Sequence, residues 1–93
     1  MMSKLQVPNK VTLDFLEQQI TNVQYRKLTG TMTHCTITVL NGFTFTGESA
    51  CADPSMYNKE LGESLAYKQA MSKMWTPYGF VLKQQLHEES SDE

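Results

Sequence analysis

The sequence predicts an α+β fold: an N-terminal helix, an antiparallel β-hairpin, a long helix, and a short C-terminal third strand. Residues 31–50 alternate β-branched and aromatic side chains around Asn41-Gly42, which is the local chemistry of a hairpin. Apolar residues recur at helical spacing in Leu13, Leu16, Ile20 and Val23, and again from Leu61 to Trp75. Gly30, Asp53-Pro54-Ser55 and Pro77-Tyr78-Gly79 punctuate these segments.

The chain has 93 residues, of which 40% are hydrophobic and 19% charged, enough apolar surface for one modest core and too much for a disordered chain. Residues 1–11 carry little pattern and read as an arm, residues 12–86 as a single α+β domain, and residues 87–93, rich in Ser and acid, as a disordered tail. In the first helix Thr12 is placed to cap the amino end and Asp14 to sit in the first turn, where the backbone dipole favours negative charge. Gly30 ends any continuation of that helix.

The hairpin register follows from the side-chain period of two. A two-residue loop at Asn41-Gly42 would pair Leu40 with Phe43 and put the apolar sets of the two strands on opposite faces. A three-residue loop, Leu40-Asn41-Gly42, with Gly42 in the left-handed region, pairs Val39 with Phe43, Ile37 with Phe45 and Cys35 with Gly47. One face is then apolar, and the other carries His34, Thr36, Thr38, Thr44, Thr46 and Glu48.

After Asp53-Pro54-Ser55 breaks the second strand, Asn58 can cap a helix over residues 59–75, with Glu60 in its first turn. Leu61, Leu65, Met71 and Trp75 share one arc of this helix. Gly62, Ala66 and Ala70 form a separate stripe of small residues, which admits a close helix approach within the domain or between subunits, and a homo-oligomer is expected through it. Pro77-Tyr78-Gly79 reads as a turn leading to Phe80-Val81-Leu82, the short third strand.

Several function classes are disfavoured. No apolar run approaches the ~18 residues of a membrane span, and the amino end lacks the pattern of a signal peptide, so the chain reads as cytosolic without a membrane partner. The net charge is −2 and the eight Lys and Arg are scattered, with only Arg26-Lys27 adjacent, which argues against nucleic acid. Double-stranded RNA-binding domains need a lysine cluster at the start of the helix that follows the hairpin, whereas here Lys59 is followed by Glu60 and Glu63. Cys35, Cys51, His34 and His87 lack metal-ligand spacing, so no metal or other cofactor is expected. His34 and Cys35 point to opposite faces of a strand and cannot form a dyad, Gly47-Glu48-Ser49-Ala50 lacks the second glycine of a nucleophile elbow, and no enzyme is expected.

The ordered combination Val39-Leu40-Asn41-Gly42-Phe43, Gly47, Cys51-Ala52-Asp53, Leu61-Gly62, Ala66-Tyr67, Ala70, Trp75 and Tyr78-Gly79-Phe80 resembles the gp forty-nine/gene sixty-six family of small tailed-phage proteins, across most of the chain. The resemblance implies a viral origin and action in the cytoplasm of the infected bacterium. It brings no catalytic residue or cofactor with it. The expected role is therefore a non-enzymatic phage accessory protein that binds a host component. One version sequesters a small nucleotide signal of bacterial defence, with Tyr25, Tyr67, Trp75 and Tyr78 as stacking faces and Arg26 and Lys27 as cations. The alternative is an interaction module that blocks a host protein through the polar hairpin face or an exposed part of the helix.

Overall fold

A computed structural model describes residues 6–91. The chain runs through α1 (Leu13–Gln18), β1 (Ile20–Lys27), β2 (Met32–Val39), β3 (Thr44–Ala50), a 3-10 turn (Pro54–Met56), α2 (Lys59–Ser72) and α3 (Trp75–Ser91). The strands form one antiparallel sheet in the order β1-β2-β3, and α2 packs across β2 and β3.

The hairpin takes the expected register. Ile37 faces Phe45, Cys35 faces Gly47, and Val39 N donates to Phe43 O at 3.0 Å across a turn in which Gly42 has φ of 90°. Cys35, Ile37, Val39 and Phe45 point into the core with Leu16, Ala66, Ala70, Met71, Met74 and Tyr78, while Phe43 stays 61% exposed. Thr36, Thr38, Thr44, Thr46 and His34 occupy the opposite, uncovered face of the sheet.

The amino-terminal helix is shorter than its apolar spacing predicts. Thr12 caps it, with Oγ1 accepting from Phe15 N at 3.1 Å, but it ends at Gln19, and Ile20 and Val23 belong to β1. Gln19 makes the switch: its N–H closes the last helical turn on Leu16 O, and its own carbonyl accepts from Leu40 N at 2.9 Å, which ties the helix end to the hairpin tip. The third strand is thus β1 rather than Phe80-Val81-Leu82.

Asp53 Oδ1 accepts from Ser55 N and Ser55 Oγ, both at 2.9 Å, and these bonds hold its carboxyl below the usual carboxylate range. Asn58 caps α2 by accepting from Leu61 N at 3.0 Å. α2 ends at Ser72, three residues before the expected end, with tight turns at Lys73 and Met74, and α3 begins at Trp75. Pro77 falls in the first turn of α3, where a missing N–H costs no helical bond, so the predicted turn and strand are helix. The residues 87–91 of the expected tail continue α3, with Ser90 Oγ donating to Leu86 O at 3.0 Å, while Asp92 and Glu93 lie outside the described residues. Residues 1–5 of the arm also lie outside them, but Val7 is buried and tied to α3 by Gln85.

Candidate functional site

The expected oligomer stripe lies inside the domain. Ala66 and Ala70 are fully buried, and a Cβ at Gly47 of β3 would overlap Ala66 O and Ala70 N. Gly62 sits over Thr33, whose Oγ1 a Cβ there would approach to 2.8 Å, and Gly62 O accepts from Ser49 Oγ at 2.6 Å. Gly62, Ala66 and Ala70 therefore seat α2 on its own sheet, the within-domain use of the stripe.

Of the six residues expected to hold a ligand, Tyr67 and Trp75 share one cleft. The cleft, about 380 Å³, is walled by Leu13 and Glu17 of α1, by Ser64, Tyr67, Lys68, Met71 and Ser72 of α2, and by Trp75 at the start of α3. Met71 is buried beneath it and Trp75 remains 42% exposed. Burial raises the Tyr67 hydroxyl pKa, and the carboxylate of Glu17 raises it further, as does Cys35. The Tyr25 hydroxyl is raised by burial and then by Cys35, Glu63 and Tyr67, so Tyr25 and Tyr67 feel each other across the edge of the sheet.

The other four lie elsewhere. Tyr25 and Arg26 come together, and with Gln24, His34 and Thr36 they line a polar depression of about 400 Å³. Lys27 folds back so that its Nζ lies 4.2 Å above the ring of Tyr57, whose hydroxyl is 3.1 Å from Thr33 Oγ1. Tyr78 is in the core, edge-on to Phe15 at 5.7 Å. Sequence reasoning missed Leu13, Glu17 and Lys68 as cleft residues and grouped Trp75 with Leu61 and Leu65. The usable signal was the spacing of four in Tyr67 and Met71, matched by Leu13 and Glu17, which puts each pair on one helix face.

The cleft joins an aromatic wall, an apolar floor and one charge of each sign, Glu17 and Lys68. This suits recognition of a ligand with both apolar and polar parts. Cys35 lies under the sheet with its thiol pKa raised by burial and then by Glu63, the protonation state of an inert thiol. Among the described residues no group of three His, Cys, Asp or Glu is gathered to hold a metal ion.

Residues 11–86 match the Phage protein (N4 Gp49/phage Sf6 gene 66) family. The chain belongs to that family. The Gp49/gene 66 match spans every element from α1 into α3 and contains all the cleft residues. No curated protein and no solved structure matches this Gp49/gene 66 chain. Among the described residues no helix is long and apolar enough to cross a membrane.

Proposed function

We propose that this phage protein works without catalysis in the cytoplasm of the infected bacterium, by binding a segment of a host protein in the cleft between α1 and α2. The observation that carries this reading is Trp75, held 42% exposed on a wall shared with Tyr67 above buried Met71. Trp, Tyr and Met are the residues enriched where protein partners bury their contacts, and Trp and Tyr dominate the affinity there. Glu17 and Lys68 supply one charge of each sign, which complements a polypeptide better than a polyanion.

A second reading, sequestration of a small nucleotide, is favoured by one feature. Trp75, Tyr67 and Lys68 line a single cavity of about 380 Å³, and ligand sites run upward from roughly 300 Å³. Trp75 is the only tryptophan, so its emission reports on the cleft directly. The test combines affinity capture of host proteins by wild-type and Trp75→Ala protein with a thermal-shift screen of cyclic di- and trinucleotides. A partner that is lost in the folded variant and changes Trp75 emission supports the first reading. A nucleotide-induced stabilisation lost in the same variant supports the second, and neither response would overturn the cleft as the site.

A further inference from the structure

We propose that two copies of the chain associate through a second apolar site, the groove between the hairpin tip and α3. Val39, Phe45 and Tyr78 form its floor, and Phe43, Pro77 and Val81 its walls, around about 210 Å³. Among the described residues the side chains at or beside its rim are the least buried of their kind: Phe43 is 61% exposed, Leu40 in the turn 66%, and Phe80, one turn along α3 from Pro77, 69%. Phe43 keeps an edge-on contact with Phe45 at 5.1 Å and otherwise faces outward.

Charge, shape and area select a second copy as the occupant. The groove lining and Leu40 and Phe80 carry no charged side chain, so two such faces meet without like-charge repulsion, and a charged partner finds nothing to complement. An isologous contact requires knob and hole on the same patch, and Phe43, 61% exposed, lines the groove itself. With ~150–250 Å² per aromatic side chain, Leu40, Phe43 and Phe80 together offer about 300–400 Å² of exposed apolar area. An ordinary interface buries ~800 Å² per partner, a little over half of it apolar, so this patch supplies most of what the apolar centre needs.

The interface lies on a different side of the molecule from the cleft, because Trp75 and Pro77, two positions apart, do not share a face of α3. The dimer therefore leaves both clefts open, and this inference does not rest on the proposed function.

Sedimentation of the full chain from about 1 to 100 µM tests it. The expected result is a monomer–dimer equilibrium in wild type that Leu40→Glu and Phe80→Glu each weaken at least ~10-fold, with unchanged circular dichroism, while Leu65→Glu on α2 leaves it intact. Both test positions are more than 60% exposed, so folding does not depend on them. A wild-type monomer throughout the range overturns the proposal, as does a dimer that ignores Leu40→Glu and Phe80→Glu.

Discussion

Gly47 of β3 lies against the backbone of Ala70 in α2, so close that a Cβ on Gly47 would sit 3.0 Å from Ala70 Cα and overlap its N. Glycine at this point of the strand sets the depth at which α2 rests on the sheet, and Ala66 and Ala70 complete the fit from the helix side. Gly47→Ala forces backbone apart from backbone, which no rotamer change relieves. We expect a loss of about 3 kcal/mol, at the upper end for overpacking, and an unchanged urea midpoint would refute the account. Gly62→Ala meets a movable side-chain atom, Thr33 Oγ1, and is expected to cost about 1 kcal/mol.

Asn58 accepts from Leu61 N and closes one of the open donors of α2. Asn58→Ala should lower stability by about 1 kcal/mol, and Asn58→Gly by only a few tenths. Equal effects of the two substitutions in thermal unfolding would mean that the cap contributes little.

The sheet register was legible because alternation in residues 31–50 admits only one loop length that buries Cys35, Ile37, Val39 and Phe45 together. The Asn58 cap was legible because its partner is three residues away. β1 was misread because Leu16, Ile20 and Val23 happen to keep helical spacing across Gln19, where the chain turns from helix to strand through a hydrogen bond to Leu40, 21 positions away. Local periodicity carries no record of such a bond. Pro77 and Gly79 were read as a turn because their propensities are averages, whereas proline in a first helical turn loses no bond. The cleft escaped notice for a related reason: α1 contributes Leu13 and Glu17 only once the fold brings it beside α2.

Burial raises the pKa of Cys35 above the ordinary thiol value of 9.0 and that of Tyr78 above the ordinary 10.0. The folded state therefore holds these protons more tightly than the unfolded chain does. Their contribution is fully present below the unfolded values and is lost as pH rises through the folded ones. Melting temperature should be level with respect to these groups up to about pH 8 and then fall, each group adding a slope of at most ~1.4 kcal/mol per pH unit. Cys35→Ala should flatten the part of the fall that begins near pH 9, and an identical profile in that variant would remove the thiol from the explanation.

Gln85 holds the amino-terminal arm to α3 by making both backbone bonds that a neighbouring strand would make. Val7 N donates to its Oε1 at 3.0 Å and its Nε2 donates to Val7 O at 2.7 Å, across 78 positions of sequence. Val7 is thereby only 5% exposed although it lies in a segment without helix or strand. Gln85→Ala removes both partners at once, and at ~0.5–1.5 kcal/mol net per bond it should free the arm at a cost of about 1–3 kcal/mol. Gln85→Glu keeps the acceptor for Val7 N and loses the donor to Val7 O, so it should lie between wild type and Gln85→Ala. Because the arm borders the domain, its release should speed amide exchange at Val7 and tryptic cleavage after Lys10 while exchange in β2 stays slow. Faster exchange in β2 as well would show that the arm is part of the global fold, and no change at Val7 would show that Gln85 does not hold it.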